Sequence, residues 1–555
     1  MIEKTVGIRA LGRELGIGIA AGAVLIATAS AQAQDNRGSI QGVVNDGAGQ
    51  PVAGAYIKLK NDERRLTFLV VSKDRGQFEA KDLPPGLYRV QGVGAETQSD
   101  WFTNVTVAAG NDAKVGLALT NRRGPTLAPA WPQRLPEADV LKASKDPKDL
   151  PEGDGKALVA EKCASCHDLL RIVVKRSNHD HWDHTVARMR TRMAAAQIPD
   201  LTDQENATIV NYLSKNFGEV QPYDGNSRLP RKLLSGKAVN YRVVTYDLVN
   251  THAEPHDVAV DPDGNAWVSE RAGKLGRLDA KTLQFTEYDT PPGPAARDRQ
   301  SLGNPQIDSK GILWVADGPN NRWLSYDTKT GRFLAFAWTG QKGQAGGNSM
   351  ALHADGTVWA TGGNKEARQL FPDKAEFKFY QSPSANHRPL PGAYGIAVAG
   401  DGSVWYAEDE ADMMVRIDPA SGKVDEYKIP YEGHSFPRRM NSDANGDLWV
   451  ALWNAGKLMK VDQKTRQMTI YSPPTQTGGN YSVVVDKKNN YVWVSEHQVD
   501  QIARFDPKTQ EWVEFPLPEA ESDPRRLDID PTNPNRIYFS GNTPGRMGFV
   551  EVLSQ

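Results

Sequence analysis

The alternation of apolar and polar positions along the chain predicts a protein built mainly from short β-strands. Over residues 38–120, short apolar runs are separated by glycine- and proline-rich turn signals such as Gly49–Pro51 and Leu83–Gly86. Period-two alternation between such turns is typical of strands that bury one face. We therefore expect a small β-sandwich in this segment.

A tryptophan-centred pattern repeats from about residue 235 to residue 555. The segment Gly264–Glu270 recurs five times with a tryptophan in register, and Tyr538 takes the aromatic position of a seventh repeat. The aromatic positions are 44 to 47 residues apart, which is the length of a four-stranded propeller blade. The sequence predicts a seven-bladed β-propeller over 235–555, in which the strand Tyr241–Tyr246 completes the last blade and closes the ring.

Residues 151–220 show a helical pattern instead. Lys156–Glu161 leads into the two cysteines as one predicted helix, and a second helix opens at Leu201–Glu205 and ends near Phe217. Thr202, followed three residues later by Glu205, is typical of a capping box. Four prolines between residues 125 and 136 mark 121–150 as a semi-rigid linker.

The first 33 residues have the pattern of a secretory signal peptide. Lys4, Arg9 and Arg13 precede the apolar run Ile17–Ala27, and Ala31–Ala33 has the small residues of a cleavage site. The pattern predicts cleavage after residue 33 and export to the periplasm, and it leaves an uncleaved anchor open as an alternative. No later segment is apolar enough to span a bilayer, so we expect no transmembrane span in the mature protein.

Bulk composition bears on the class of partner. The formal net charge is -2, with 66 basic and 68 acidic residues, so nothing in it points to nucleic acid or an anionic membrane. With 13 tryptophans, 50 glycines and 35 prolines, the composition is that of a turn-rich β protein. We expect no nucleic-acid partner. Local motifs, rather than bulk charge, indicate the cofactor and the candidate site.

The two cysteines, Cys163 and Cys166, lie in the sequence CASCH, which ends at His167. This spacing attaches a c-type haem: both thiols form thioethers to the porphyrin, and the adjacent histidine binds the iron. Cys163, Cys166, His179 and His184 also fit a zinc-finger spacing, but the residues before His179 are polar where such a finger needs a core residue. A disulfide between the cysteines is a further alternative. The motif predicts one covalent haem c.

A sixth ligand to the haem iron is expected from the helix that follows. Trp182, Val186, Met189 and Met193 share one face of that predicted helix. Methionine at helical spacing is often only core packing, but methionine–histidine ligation raises the haem potential and closes the iron to substrate. We prefer Met189 as the distal ligand, with Met193 as the alternative. An open position also remains, as do three histidines: His179, His181 and His184.

Three segments resemble known families. Residues 38–120 resemble the carboxypeptidase regulatory-like domain, a β-sandwich of about seven strands that implies docking or folding support rather than catalysis. Residues 151–220 resemble c-type cytochrome domains. The repeats, over nearly all of residues 240–550, resemble the virginiamycin B lyase (streptogramin lyase) family of seven-bladed propellers. The expected fold is therefore multidomain and mainly β: a seven-bladed β-propeller, a small β-sandwich and an all-α cytochrome c domain.

The first propeller repeat carries a more specific match to the lyase family. That family has a Glu-x-His followed fourteen residues later by a glutamate, and Glu254, His256 and Glu270 reproduce this spacing. The resemblance implies that His256 is a general base and that Glu254 and Glu270 orient it or bind Mg²⁺. The family also has a histidine in the preceding blade. There this chain has Arg525, which neither accepts a proton nor binds Mg²⁺.

The corresponding inner positions of the repeats predict a cationic and aromatic funnel, to which Tyr481 contributes. We expect substrate binding at Arg438, Arg525, Tyr394 and Asn348, because arginines bind anionic or carboxylated ligands bidentately. The alternative is that such residues only form ion pairs with one another. Four acids at strand ends are predicted to rim the funnel: Glu270, Asp317, Glu408 and Glu496.

Three classes of function are compatible with these features. We favour a periplasmic c-type haem oxidoreductase or electron-transfer protein, whose propeller binds a small anionic substrate and whose haem relays electrons to or from a periplasmic partner. The second class is a Mg²⁺-dependent C–O lyase of the virginiamycin B lyase type. The third is a non-catalytic haem-bearing binding protein. Neither a dinucleotide fingerprint nor the features of a PQQ propeller are visible, and the sequence does not identify the substrate.

Overall fold

The computed structural model describes most of the 555-residue chain between residues 37 and 553. The described ranges are 37–124, 147–164, 169, 172, 179–195, 199–218, 225–250, 253–271, 273–293, 302–337, 347–362, 366–384, 392–475, 478–541 and 545–553. The predicted signal peptide, most of the linker, Cys166 and His167 lie outside these ranges. The side chains of Met193 and Asn348 are also outside the described part.

The first described segment is a β-sandwich, as the alternating pattern predicts. Its strands are β1 (Gly38–Asp46), β2 (Tyr56–Asn61), β3 (Leu66–Val71), β4 (Gln77–Leu83), β5 (Gly86–Val93), β6 (Thr97–Gln98), β7 (Phe102–Val107), β8 (Asp112–Leu119) and β9 (Asn121–Arg122). One sheet has the order β4-β1-β8, with β1 and β8 parallel. The facing sheet contains β3, β2 and β5, and Ile40, Leu59, Val90 and Leu117 are buried in one apolar cluster.

The sandwich is joined to the propeller by β-sheet pairing. Strand β10 (Tyr241–Asp247) runs antiparallel to β3, with Thr245 opposite Thr67. The larger sandwich sheet therefore continues into the last propeller blade. On the neighbouring strand β2, the buried Lys58 forms an ion pair at 3.2 Å with Glu519 of the propeller. The junction is thus built from backbone hydrogen bonds as well as buried side chains.

From residue 241 onward, the described strands form seven blades, each with four antiparallel strands. Blades 1 and 2 contain β11 (Pro255–Val260), β12 (Ala266–Glu270), β13 (Lys274–Leu278), β14 (Phe285–Asp289), and β15 (Leu302–Ile307), β16 (Ile312–Asp317), β17 (Arg322–Asp327), β18 (Phe333–Ala337). Blades 3 and 4 contain β19 (Gly347–Leu352), β20 (Val358–Gly362), β21 (Glu366–Phe371), β22 (Glu376–Gln381), and β23 (Ala393–Val398), β24 (Val404–Glu408), β25 (Met413–Ile417), β26 (Val424–Lys428). Blades 5 and 6 contain β27 (Pro437–Ser442), β28 (Leu448–Leu452), β29 (Lys457–Val461), β30 (Met468–Tyr471), and β31 (Asn480–Asp486), β32 (Tyr491–Glu496), β33 (Gln501–Asp506), β34 (Glu511–Pro516). Blade 7 contains β35 (Pro524–Ile529), β36 (Arg536–Gly541), β37 (Arg546–Val552) and β10.

The ring closes through β10, and this confirms the prediction from the sequence. Strand β10 precedes blade 1 in the chain but pairs with β37 along its whole length, so it supplies the fourth strand of blade 7. The first strand of each blade contacts the first strands of both neighbours, and β11 of blade 1 packs against β15 and β35. These seven inner strands therefore surround a central axis.

The repeated tryptophan packs between neighbouring blades. Trp267 is buried, and its ring centroid lies 5.5 Å from that of Tyr326 in blade 2. Its indole nitrogen donates to the carboxylate of Asp261, which also accepts two backbone N–H groups of the following turn. That turn holds Gly264 at a φ of 87°. A left-handed conformation favours glycine, which explains the glycine ahead of the tryptophan in the repeat.

Residues 147–218 form a helical segment with an apolar cluster of its own. The helices are α1 (Lys156–Leu158), which continues into a π-helical turn (Val159–Cys163), α2 (His179–Ala195) and α3 (Asp203–Asn216). They enclose the buried residues Val159, Trp182, Val186, Ile209 and Leu213. The predicted capping box is confirmed, because Thr202 Oγ1 accepts the N–H of Glu205 and the Glu205 carboxylate accepts the N–H of Thr202. None of the helices in the described ranges is long and apolar enough to cross a membrane.

The helical segment is inserted between two chain segments that lie side by side. The chain leaves the sandwich at Gly124, and the segment that follows the helices is described from residue 225. Arg123 donates to the carbonyl oxygens of Asn226 at 2.7 Å and Leu229 at 2.8 Å, and Arg231 donates to that of Gly124. The entry and exit of the insertion are therefore held together at the junction of sandwich and propeller.

Candidate functional site

Two rings of residues surround the axis where the inner strands begin. In every blade the first residue of the inner strand pairs with the last residue of the second strand, and a register shift follows. Such irregularities re-aim the side chains that follow them. The upper tier consists of His256, Gly303, Asn348, Tyr394, Arg438, Tyr481 and Arg525. The lower tier, one residue further along each strand, consists of Asp257, Asn304, Ser349, Gly395, Arg439, Ser482 and Arg526.

The upper tier brings together His256 of blade 1 and Arg525 of blade 7, two of the predicted site residues. His256 Nδ1 lies 3.0 Å from Asp257 Oδ2, and its Nε2 lies 3.4 Å from a terminal nitrogen of Arg525. Burial, with the charges of Arg271 and Arg525, lowers the pKa of His256 to about 3 although Asp257 opposes the shift. The imidazole is therefore neutral near pH 7. Its Nδ1–H donates to Asp257, and its Nε2 faces Arg525.

An ion pair across the axis lies directly below His256. One terminal nitrogen of Arg439, in blade 5, donates a hydrogen bond to Asp257 of blade 1. The other terminal nitrogen donates to Ser349 Oγ of blade 3, at 3.0 Å. The second carboxylate oxygen of Asp257 also accepts the N–H of Asn304, at 3.0 Å. Despite burial, Arg439 and His256 hold the pKa of Asp257 below its usual range. This pair ties three blades together and fixes the carboxylate that orients His256.

Arg438 lies in a box of aromatic rings. Its guanidinium carbon is 4.1 Å from the ring centroid of Tyr394, 4.2 Å from Phe436 and 5.3 Å from Trp453. One terminal nitrogen also donates to Asp409 at 2.7 Å. Cation–π contacts and an ion pair both stabilise the charge of this buried side chain. Its predicted part in substrate binding stays a prediction, because its guanidinium is already surrounded.

Tyr394 and Tyr481 meet through their hydroxyl groups. Tyr481 also stacks on His497, with ring centroids 5.1 Å apart. Although burial opposes it, the charges of Arg525 and Arg438 lower the pKa of Tyr481, whereas burial and the neighbouring Tyr481 raise the pKa of Tyr394 to about 12. The upper tier thus places cationic and aromatic residues together in a cup. Within this cup, the hydroxyl groups of Tyr394 and Tyr481 are hydrogen-bonded to one another.

Glu254 and Glu270 do not form a metal site with His256 in this structure. Glu254 Oε2 lies 3.3 Å from Arg271 Nε. Glu270 is fully buried, its carboxylate has no hydrogen-bond partner among the described residues, and burial raises its pKa to about 8. No group of three histidine, cysteine, aspartate or glutamate residues in the described ranges could hold a metal ion. The residues present therefore do not fit the Mg²⁺ that the family resemblance implies.

The predicted acidic rim of the funnel is wrong for two of its members. Asp317 is buried within blade 2, where Arg322 Nε of the third strand donates to it at 2.8 Å. Glu496 is buried within blade 6, where Gln501 donates to it at 2.5 Å. Each acid meets a partner on the neighbouring strand of its own blade. In blades 2 and 6 the acid at the end of the second strand therefore pairs within its own blade.

The predicted haem segment is described only in part. Cys163 is half-buried at the end of the π-helical turn, and it packs against the apolar cluster of the helical segment. Met189 is half-buried on α2, on the same helix face as the buried Trp182 and Val186. The cytochrome c fold, haem attachment and the distal ligand stay predictions.

Sequence analysis missed the lower tier. Asp257, Arg439 and Arg526 were not singled out, although two repeats carry a double arginine after proline, Pro437-Arg-Arg and Pro524-Arg-Arg. Two adjacent charged residues at the start of a buried inner strand indicate a functional or paired position, because each buried charge needs a partner or a ligand. The identity of those partners, in blades far apart along the chain, depends on ring closure.

Comparisons with known proteins agree with this architecture. Residues 306–554 match the virginiamycin B lyase family, and residues 39–120 match the carboxypeptidase regulatory-like domain. The propeller is virginiamycin B lyase-like. The match does not extend over blade 1, which carries Glu254, His256 and Glu270. No curated protein matches the sequence of the chain.

Solved structures of low sequence identity are similar to the propeller, and one of them reaches a TM-score of 0.50. A streptogramin B lyase structure is 20% identical, with a TM-score of 0.50, and the alignment covers 57% of this chain and 100% of that chain. Virginiamycin B lyase from Staphylococcus aureus is 18% identical, with a TM-score of 0.49, over 56% of this chain and 100% of that chain. Hydrazine synthase from Kuenenia stuttgartiensis is 13% identical, with a TM-score of 0.43, over 54% of this chain and 96% of that chain.

Proposed function

We propose that the protein is a periplasmic c-type haem oxidoreductase or electron-transfer protein, whose propeller binds a small anionic substrate in the upper-tier cup. The proposal that the cup binds a substrate is supported by the contact between Arg525 and His256 Nε2, at 3.4 Å. Tyr394 and Tyr481 lie beside this contact in the cup. A guanidinium beside a neutral imidazole offers one group to hold an anion and another to move a proton.

The cup residues have separate roles in this proposal. Arg525 binds the anionic group, and the aromatic rings exclude water on either side. An anion that engages the Arg525 guanidinium leaves His256 Nε2 free to accept a proton. Asp257 keeps the proton of the imidazole on Nδ1, and Arg439 keeps Asp257 charged. Asp257 and Arg439 are thus positioning residues for His256.

The redox part rests on the chemistry of the donor set. Cys163 and Cys166 would hold a haem c covalently, His167 would bind its iron, and Met189 would be the distal ligand, with Met193 as the alternative. A haem held there supplies one-electron transfer to a periplasmic partner. The half-buried position of Cys163 against an apolar cluster suits a porphyrin edge. The signal-peptide pattern supports export to the compartment where such haems are attached.

The alternative is a lyase of the virginiamycin B lyase type, and the lyase-like propeller favours it. In that case His256 would be the base, and Mg²⁺ would be needed. The Glu254–Arg271 ion pair weighs against a divalent ion at this position. The third class, a haem-bearing binding protein without turnover, differs from the first only in lacking a reaction.

Haem attachment is tested on the mature protein by haem staining after denaturation. We expect stain in the wild type and in the matched variant Ser165→Ala, and none in Cys163→Ala or Cys166→Ala, because both thioethers depend on those thiols. A haem-free protein that contains zinc would overturn the proposal.

Substrate binding and reaction class are tested together. The haem spectrum is followed while small organic acids are added in turn as electron donors, with Arg525→Ala and the exposed-arginine control Arg332→Ala measured in parallel. We expect Arg525→Ala to raise the KM for haem reduction, the control to leave it unchanged, and a chelator to have little effect. A product that forms without haem but not in the presence of a chelator would establish the lyase instead.

A further inference from the structure

Four arginines lie in the two tiers, and three of them have an aspartate partner. Arg438 is paired with Asp409 at 2.7 Å, Arg525 with Asp523 at 3.2 Å, and Arg439 with Asp257. The side chain of the fourth, Arg526, has neither a hydrogen bond nor an ion pair with any residue in the described ranges. Such a charge inside a protein needs either water or a ligand.

Arg526 faces a cavity that is separate from the cup. The cavity has a volume of about 590 Å³ and extends from the lower tier toward the far ends of the inner strands. Arg439, Arg526, Ser349 and Ser482 line its upper end, and no upper-tier residue lines it. The trans-axial pair of Arg439 and Asp257 therefore lies between the two compartments.

The electrostatics of the cavity favour an anion. Burial and the like charge of Arg439 lower the pKa of Arg526 to about 10, so the guanidinium still carries its charge at neutral pH. At the other end of the cavity, Lys487 Nζ donates to Ser442 Oγ at 3.3 Å, which adds a third cation. The carboxylates of Asp257 and Asp528 oppose the lowering of the pKa of Arg526, but neither forms an ion pair with it.

The two acids that line the cavity have other partners. Asp528 accepts the backbone N–H groups of Val260 at 2.8 Å and Ile529 at 2.9 Å. Asp443 accepts two N–H groups of its own turn and the indole N–H of Trp449. Neither carboxylate is within ion-pair distance of Arg526, so neither replaces a ligand.

The geometry points to a second anion-binding site in this lower cavity, built on Arg526 with Arg439 and Ser482 beside it. Its ligand is a small oxyanion or the carboxylate of a small organic acid. A guanidinium binds either group with two parallel hydrogen bonds. This site is distinct from the cup of the proposed function, because it is below the trans-axial pair and shares none of the upper-tier residues.

Binding is measured by titration calorimetry on the full mature protein with phosphate, sulfate and succinate, each at constant ionic strength in chloride. The variants are Arg526→Gln, Arg526→Lys, the cup variant Arg525→Gln and the exposed control Arg332→Gln, which changes the net charge equally. We expect Arg526→Gln to weaken binding by about tenfold or more, as for the loss of a charge-assisted pair. Arg332→Gln should retain the affinity, whereas Arg525→Gln should remove only binding in the cup and leave the binding that depends on Arg526. The three anions show whether the lower site prefers an oxyanion or a carboxylate.

A crystal soaked in selenate gives a second measurement on the wild type, which does not depend on how a variant folds. We expect anomalous density beside Arg526. Binding that survives in Arg526→Gln but is lost in Arg525→Gln would place the anion in the cup and overturn the inference. Absence of binding by all three anions, with no selenate density, would also overturn it, and would leave the proposed function of the cup intact.

Discussion

Glu496 illustrates how burial changes the behaviour of a single carboxyl in this protein. It is fully buried, one of its oxygens has no hydrogen-bond partner among the described residues, and burial with the nearby Glu514 raises its pKa well above the usual value. The folded state therefore prefers the protonated acid. The stability that this preference contributes is present below about pH 4.5, and it is lost as pH rises through the raised pKa.

We accordingly expect Glu496→Gln to be more stable than the wild type at pH 8, and close to it at pH 4.5. Each unit of pKa difference is worth about 1.4 kcal/mol, so a gain of about 1 kcal/mol or more at pH 8 is expected. Urea unfolding at the two pH values measures it. The exposed control Glu432→Gln should show no such pH dependence. Equal stability of wild type and Glu496→Gln at pH 8 would contradict the expectation.

Met189 is the residue on which the proposed haem environment is most easily tested. If it is the distal ligand, Met189→Ala removes the methionine–iron charge-transfer band and lowers the haem potential. Met193→Ala should leave both the band and the potential unchanged. Absorption spectroscopy and a redox titration compare the two variants. An unchanged spectrum in Met189→Ala would move the ligand to Met193 or to a histidine.

The sequence repeat predicts which residues line the cup, but it does not predict which of the residues around the axis pair with one another. The upper tier follows from the repeat, because each of its residues occupies the same place before the strand that carries the repeated tryptophan or, in blade 7, Tyr538. The pairing of Asp257 with Arg439 joins residues that are 182 positions apart, in blades on opposite sides of the ring. No local pattern specifies that contact, which depends on how many blades close the ring.

Among the secondary-structure elements, strand β3 is more buried than the strand pattern of a sandwich predicts. The expectation for a sandwich strand was one buried face, but all six residues of Leu66–Val71 are buried. Burial of every residue is typical of a strand that is covered on both faces and has neighbours on both edges. Pairing with β10 supplies the second neighbour. The propeller and the sandwich were each predictable from their periodicity, whereas their shared sheet required the structure.

Gly54 tests the packing of this junction. It has a φ of 78°, and a Cβ there would lie 2.1 Å from the carbonyl oxygen of Leu234, in the segment that leads into the propeller. We expect Gly54→Ala to lower the free energy of unfolding by about 1–3 kcal/mol, because both the backbone and the neighbouring carbonyl must shift. Thermal unfolding measures it. Gly47→Ala, at a position with no heavy atom within 4 Å, is the matched control and should have little effect. Equal losses in both variants would refute a specific contact.

On the scale of the whole molecule, sandwich and propeller act as one structural unit. They share a continuous sheet, and one apolar cluster contains Leu59 and Phe68 of the sandwich together with Val258 and Tyr538 of the propeller. The helical segment has a separate cluster. Since Arg123 and Arg231 hold the two ends of that insertion together, the unit does not depend on the helices for its closure.

This arrangement predicts that the helical segment can be removed without unfolding the rest. A variant in which residues 125–224 are replaced by a short Gly/Ser linker should retain the β-sheet circular dichroism and the anion binding of the propeller, because the junction contacts of Arg123 and Arg231 remain. It should carry no haem, since Cys163 and Cys166 are gone. The comparison variant lacks residues 38–124, which exposes the edge of β10 and the apolar surface under β3, and it should aggregate. Unfolding of the first variant, or a soluble and folded second one, would show that the helices rather than the sandwich stabilise the propeller.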